Sequence, residues 1–92
     1  MRVVTIGMGY IGLPTSALIA SKEIYVTGID INQDVVDTIN RGMIHIVEPE
    51  LDKVVKETVH LGYLRASIQP EAGDIYLIVV PTPFKENYEA DI

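Results

Sequence analysis

The chain has 92 residues, enough for one small domain, and a formal net charge of −6. An acidic surface argues against nucleic acid or an anionic membrane as the main partner. The sequence has no cysteine, which excludes a disulfide, a thiolate metal site and a cysteine nucleophile within the chain. The N-terminus leads into an apolar run without a signal peptide, and no run has the ~18 apolar residues of a membrane helix. The sequence therefore predicts a cytoplasmic protein.

A glycine-rich motif follows the first apolar run. Residues 3–6, Val-Val-Thr-Ile, lack polar alternation and predict a strand that is buried on both faces. The motif is Gly-x-Gly-x-x-Gly, with Gly7, Gly9 and Gly12, and a helix is predicted over residues 11–21. In a dinucleotide site the first glycine permits a tight turn, the second admits a pyrophosphate, and the third lets the helix pack closely. The alternative is a glycine-rich turn without a ligand.

The first predicted helix has an apolar stripe. Ile11, Thr15, Leu18 and Ile19 recur at helical spacing, which predicts that this stripe faces the sheet. Pro14 falls in the first turn, where its missing N–H costs little. The helix N-terminus presents unpaired N–H groups and partial positive charge to phosphates.

Asp30 follows a second apolar run, residues 24–29, which predicts a parallel strand. It lies eighteen residues after Gly12, close to the spacing of about twenty for an acid that binds ribose hydroxyls. The alternative is an N-cap for the next helix, although Asn32 caps that helix equally well. Residues 31–33 bring no Arg or Lys to meet a 2′-phosphate, so the sequence favours NAD over NADP.

The remaining elements follow from periodicity and from turn residues. Helices are predicted over residues 33–41, ended by Gly42, and over residues 49–60, begun by Pro49. The connection between them contains His45, which is most simply an exposed or hydrogen-bonded loop residue. Strands are predicted over residues 64–68 and 75–80, with a turn or a single helical turn between them. Thr82 lies in a Pro-Thr-Pro turn at the carboxyl edge, either as a cofactor contact or as a spacer.

Right-handed crossovers arrange these strands in the order 3-2-1-4. The predicted fold class is therefore α/β, a Rossmann-like parallel sheet that forms the first half of a doubly wound dinucleotide-binding domain. The whole chain, residues 1–92, would be the N-terminal part of an NAD-binding domain. The apolar run at residues 75–80 would be an edge strand that is bare on one side. We therefore expect the chain to belong to a larger enzyme, or another chain to cover this edge.

Four segments resemble the nucleotide-sugar 6-dehydrogenase family, which includes UDP-glucose and GDP-mannose dehydrogenases. The segments are Gly-Met-Gly-Tyr-Ile-Gly-Leu-Pro at 7–14, Gly-Ile-Asp-Ile-Asn at 28–32, Glu-Pro-Glu-Leu at 48–51 and Val-Pro-Thr-Pro at 80–83. They occur in the family's order across the chain. Asn-Arg-Gly at 40–42 and the residues at 44–49 are most similar to the branch that acts on UDP-N-acetyl-D-mannosamine.

The resemblance implies an NAD-dependent oxidation of a UDP-sugar to its uronate, with two NAD reduced, in the synthesis of surface polysaccharide precursors. It implies that the glycine loop, Tyr10, Ile11, Asp30 and Thr82 contact NAD. It places the nucleophilic cysteine and its helper lysine and asparagine beyond Ile92, together with the substrate domain. The chain alone is therefore predicted to be inactive, and the complete protein is predicted to be a homo-oligomer.

Three alternatives remain open from the sequence. One is a UDP-glucose 6-dehydrogenase. A second is a β-hydroxyacid dehydrogenase, which has a similar glycine loop and early proline, although the Glu-Pro-x-Leu and Pro-Thr-Pro segments argue against it. A third is a non-catalytic NAD-sensing module, which would use the same loop and Asp30 and would need no cysteine.

Overall fold

The computed structural model describes residues 1–79, which form a parallel sheet and three helices. The elements in chain order are β1 (Arg2–Ile6), α1 (Gly12–Ala20), β2 (Tyr25–Ile29), α2 (Gln33–Asn40), α3 (Leu51–His60), β3 (Leu64–Ser67) and β4 (Ile75–Ile78). The strand order is β3-β2-β1-β4, and every neighbouring pair is parallel. This confirms the predicted order and fold class. Thr82 lies outside the described residues.

The three helices pack on one face of the sheet, as right-handed crossovers that run in one direction require. Helix α1 lies against β2 and α3, while α2 and α3 lie against β3. The core between the layers is built from fully or almost fully buried side chains, among them Leu13, Val26, Ile39, Val55 and Leu64. The helices thereby leave the carboxyl ends of the strands open above the core.

The prediction for the buried stripe of α1 is wrong for Ile11 and Leu18, whereas Ile19 is partly buried against the core. Ile11 and Leu18 are exposed, whereas the side facing the sheet consists of Gly12, Leu13, Ser16, Ala17 and Ala20. Small residues on this side let the helix axis approach the strands closely. Hydrophobic periodicity does not detect such a face, because glycine, alanine and serine carry little apolar surface.

Helix α2 begins and ends as the sequence predicts. Asn32 is its N-cap, and the Asn32 side chain accepts hydrogen bonds from the N–H groups of Asp34 at 2.9 Å and Val35 at 3.4 Å. Gly42 follows the helix with a φ of 75°, the left-handed conformation that favours glycine. Its N–H donates to the Ile39 carbonyl and the Met43 N–H donates to the Thr38 carbonyl, so these two carbonyls of the last turn are satisfied.

Helix α3 begins two residues later than predicted. Glu50 is the N-cap with a φ of 63°, in the left-handed region, so neither it nor Pro49 belongs to the helix. The predicted amphipathic stripe is confirmed, with Leu51 and Val55 buried against the rest of the core. His45, in the preceding connection, is half-buried. Its Nδ1 atom is enclosed without a hydrogen-bond partner among residues 1–79, unlike either environment expected from the sequence.

The connection from β3 to β4 crosses the sheet face opposite the helices and contains no helical turn. Gly73 passes directly over Val4, so closely that a Cβ at position 73 would lie 2.5 Å from Val4 Cγ2. Arg65 on β3 forms a bidentate ion pair with Glu71 in this connection. The hydrogen bond from Arg65 is the main reason that the pKa of the Glu71 carboxyl is lowered from its usual value.

Strand β4 is an edge strand within residues 1–79, as predicted. It pairs with β1 along one side, from Val3 opposite Ile75 to Ile6 opposite Ile78. The side chains of Ile75, Tyr76 and Ile78 are exposed. The most apolar run of the sequence therefore lies at the border of the described sheet rather than in its core.

Asn40 ties the end of α2 to the other edge strand, β3. Its Nδ2 donates to the Ala66 carbonyl at 3.0 Å, and its Oδ1 accepts from the Ala66 N–H at 2.8 Å. The side-chain amide thus replaces the missing neighbour strand at one residue. This is a physical reason for asparagine in the Asn-Arg-Gly segment.

We predict that Asn40→Ala lowers the free energy of unfolding by about 1–3 kcal/mol, because both Ala66 backbone groups lose their partner in a half-buried setting. Gln33→Ala is the matched control, since it removes only an exposed bond to Asp37 within the same helix and should cost at most about 0.5 kcal/mol. Urea unfolding and amide exchange at Ala66 measure the two variants. Equal effects would contradict the role given to Asn40.

Candidate functional site

The candidate site lies at the carboxyl edge of the sheet, where the strand order reverses. The chain proceeds from β1 to β2 and β3 on one side and returns to β4 on the other side of β1. Hydrogen bonds continue past the strand ends, from the Gly7 N–H to the Ile29 carbonyl at 2.8 Å and from the Val79 N–H to the Ile6 carbonyl at 2.7 Å. Ligands of open α/β sheets bind in the crevice at such a reversal.

Two glycines of the motif are required by the turn itself. Gly7 has a φ of 99°, a backbone conformation that residues with a side chain rarely adopt. At Gly12 an added Cβ would lie 1.7 Å from the Gly7 carbonyl oxygen, so no side chain fits between the helix and the turn. These positions confirm the predicted roles of the first and third glycines, namely the tight turn and the close packing of the helix.

Gly9 differs from both, because a Cβ added there would meet no atom of the described structure within 4 Å. It also has no positive φ, so the fold places no requirement for glycine at this position. In the dinucleotide-binding motif, the second glycine leaves such a space free for a pyrophosphate.

Helix α1 begins directly after this turn, with the Leu13 N–H bonded to the Gly9 carbonyl at 3.1 Å. Ile11 is the N-cap, and its apolar side chain accepts no hydrogen bond. Tyr10 and Ile11 are 78% and 66% exposed, so both stand clear of the core beside the turn. A helix N-terminus that lacks a side-chain cap offers its amides and its partial positive charge to an anion.

Asp30 lies at the end of β2 and holds the glycine turn. Its Oδ2 accepts a hydrogen bond from the Met8 N–H at 3.0 Å, and its Oδ1 accepts one from the Asn32 N–H at 2.9 Å. The α2 N-cap is Asn32, which excludes the alternative helix-capping role for Asp30. A carboxylate has about four lone-pair sites, so each oxygen keeps capacity for a ribose hydroxyl. Asp30 and the glycine turn are therefore joined by one hydrogen bond.

Three residues shape the turn without being marked by the glycine motif or by Asp30, namely Met8, Ser16 and Gly28. The Met8 side chain is completely buried. It lies over Gly28 of β2 and receives a hydrogen bond from the Ser16 hydroxyl to its Sδ atom at 3.4 Å. A glycine inside a strand often marks the close approach of another part of the chain, and Gly28 carries that signal.

A second concave surface lies away from this edge. It has a volume of about 690 Å³ and is lined by Arg41 at the end of α2, by Lys53 and Lys56 of α3, and by neighbouring residues. Its lining includes neither Asp30 nor any residue of the glycine turn. It takes no part in the arrangement of glycine turn and acid.

No cluster of three or more metal-ligating side chains occurs within residues 1–79. In the same part of the chain, no helix is both long and apolar enough to cross a membrane. Asp30, the acid singled out by the motif, is engaged with backbone amides instead. The arrangement at the carboxyl edge is suited to holding a phosphate-linked nucleoside.

Comparison with known proteins agrees with this geometry. The model of the UDP-glucose/GDP-mannose dehydrogenase family, NAD binding domain, matches residues 1–92. The UDP-N-acetyl-D-mannosamine dehydrogenase of Escherichia coli K12 is 61% identical over 87 residues, which cover 95% of this chain and 21% of that protein. The NDP-N-acetyl-D-galactosaminuronic acid dehydrogenase of Ralstonia nicotianae is 56% identical over the same shares.

A solved structure shows the same fold. The UDP-N-acetyl-mannosamine dehydrogenase from Staphylococcus aureus matches with a TM-score of 0.89 and 42% identity, over 95% of this chain and 21% of that one. The chain thus spans about a fifth of the length of the relatives that it matches.

We predict that Gly12→Ala destabilises the fold by about 3 kcal/mol or more, since its methyl group would overlap the Gly7 carbonyl oxygen. Gly9→Ala should stay within about 0.5 kcal/mol of wild type, because the added methyl meets only open space. Urea unfolding of both variants provides the comparison. Similar losses at the two positions would contradict the geometry of the turn.

Proposed function

The chain belongs to the UDP-glucose/GDP-mannose dehydrogenase family, in its NAD-binding domain, and from this premise we propose that it holds the adenosine and pyrophosphate of NAD for the oxidation of a UDP-sugar. The observation that carries the proposal is the hydrogen bond between Asp30 and Met8. It brings a carboxylate suited to ribose hydroxyls beside a glycine turn suited to a pyrophosphate.

Each part of the proposed site has one task. The open side of Gly9 and the N-terminus of α1 receive the pyrophosphate, with Tyr10 and Ile11 beside it. Asp30 accepts hydrogen bonds from the adenosine ribose hydroxyls. Gly7 and Gly12 act indirectly, by fixing the shape of the turn. Thr82 remains a proposed contact that lies outside the described residues.

The charge near Asp30 supports NAD rather than NADP. A 2′-phosphate on the ribose would meet the Asp30 carboxylate, and Asp34 follows in the first turn of α2. Residues 31–34 supply no cation to offset this repulsion.

When bound, NAD supplies the acceptor for the hydride that leaves the sugar C6 carbon. The residues of this chain bind and orient the adenosine half of the cofactor. They do not supply the covalent step that the family resemblance implies, because the chain has no cysteine. We therefore propose that catalysis belongs to the remainder of the complete gene product, and that this chain alone is inactive.

UDP-N-acetyl-D-mannosamine is the proposed substrate, with its uronate as a precursor of surface polysaccharide. The names of the relatives at 60–61% identity support it. A relative at 56% identity is named for an N-acetyl-galactosaminuronic acid, which makes that sugar the second candidate.

We predict that Gly9→Ala raises the Kd for NAD at least about tenfold, equivalent to 1.4 kcal/mol, without a matching loss of stability. The methyl group would occupy the space proposed for the pyrophosphate. Isothermal titration of the complete gene product, together with its unfolding curve, measures both quantities. Met43→Ala, at an exposed position away from the turn, is the control. Unchanged NAD affinity in the Gly9 variant would contradict the proposed site.

The complete gene product should reduce NAD with UDP-N-acetyl-D-mannosamine and reduce NADP far more slowly. The assay measures NADH formation with a panel of UDP-hexoses and UDP-N-acetylhexosamines, including the galactosamine candidate. The 92-residue chain alone should form no NADH with any of them. NAD binding without turnover of any sugar by the complete protein would instead support the sensing module. Turnover by the isolated chain would refute its predicted inactivity.

A further inference from the structure

Three consecutive residues at the end of β2, Gly28, Ile29 and Asp30, contact the glycine turn. Gly28 provides the space in which the Met8 side chain lies. The Ile29 carbonyl accepts the Gly7 N–H at 2.8 Å, and the Asp30 carboxylate accepts the Met8 N–H at 3.0 Å. Met8 is therefore held through both its side chain and its backbone, whereas Gly9 beside it is open.

The space over Gly28 is fully occupied by Met8. A Cβ built at Gly28 would lie 2.3 Å from the Met8 Cε atom, 2.4 Å from Sδ and 2.9 Å from Cγ. All three distances are too short for a Cβ contact, so alanine at position 28 requires the Met8 side chain to move from this position. On the helix side, the Ser16 hydroxyl donates to Met8 Sδ at 3.4 Å. We refer to the contact surface of Gly28 and Ser16 as the Met8 socket.

We infer that Met8 is a positioning residue for the cofactor pyrophosphate: its side chain, anchored in the Met8 socket, fixes the Gly7–Gly9 backbone in its binding shape before the ligand arrives. The inference rests on the proposed function, because the ligand is the one assigned there. Met8 contacts no ligand atom in this scheme and acts through the backbone on either side of it. Gly28 is accordingly required by the turn rather than by the strand that contains it.

When a turn already has its binding shape, less of the binding free energy is lost in ordering its backbone. Loss of the Met8 side chain should therefore weaken the binding of ligands that contain a pyrophosphate more than it weakens the binding of adenosine alone. It should also loosen the turn when no ligand is present. If Met8 served only the core, its substitution would lower stability without weakening NAD binding more than adenosine binding.

The test is a double-mutant cycle in the complete gene product, with Met8→Ala, Gly28→Ala and both together. The readouts are the Kd values for NAD and for adenosine, amide exchange of residues 7–13 without ligand, and the unfolding curve. Met8→Leu is the conservative variant, because leucine has a similar volume. Met43→Ala is the control for truncation of a methionine, since Met43 is exposed.

Gly28→Ala should raise the Kd for NAD about tenfold or more and accelerate exchange in the turn, because the new methyl displaces Met8. In the Met8→Ala background the same change should have less than about a twofold effect, since the socket is empty. Met8→Leu should stay within about threefold of wild type. The Kd for adenosine should change less than the Kd for NAD in every variant.

Additive effects of the two substitutions, or unchanged exchange in the turn, would overturn the inference. If Gly28→Ala fails to fold, the test is the comparison of Met8→Ala with Met8→Leu. Equal NAD affinity and equal amide exchange in these two variants would refute the positioning role of the Met8 side chain. Failure of the proposed function gives a different result: the wild-type protein would not bind NAD, while the exchange measurements would still report on the anchor.

Discussion

The contact between the end of β2 and the glycine turn is the constraint on which the site depends. A tight turn leaves backbone N–H groups without regular partners, and such groups are costly unless they are bonded. Here the Ile29 carbonyl and the Asp30 carboxylate accept two of them. The same carboxylate is the proposed ribose ligand, so the two halves of the nucleotide meet a single connected unit. Gly28 completes the contact by leaving room for Met8.

Close packing of α1 on the sheet follows from the same turn. Gly12 lies so near the Gly7 carbonyl that the rotation of the helix about its axis is set at its first residue. That rotation turns Leu13, Ala17 and Ala20 toward the strands and leaves Leu18 exposed. The N-terminus of α1 is thereby brought to the open side of Gly9, where its partial charge favours an anion. Bulkier residues on the inner side would move the helix, and with it the proposed anion site.

The buried face of a helix was predictable where its buried side chains are large and apolar. Helices α2 and α3 bury Val36, Ile39, Leu51 and Val55 at helical spacing, and their faces are as the sequence predicts. The inner side of α1 was missed because small residues leave no hydrophobic signal. The late start of α3 was missed because the left-handed conformation of Glu50 is not favoured by a side chain of that type.

The sequence by itself determined the strand order, the glycine turn and the position of Asp30 at a strand end, because these depend on local spacing and on the handedness of crossovers. It did not determine what Asp30 binds within the protein, or why residue 28 is glycine. Those answers require two segments twenty residues apart to meet, Met8 on Gly28 and its N–H on Asp30. Only packing decides such a contact, because the shape of the space over Gly28 is set by the strand and the helix together.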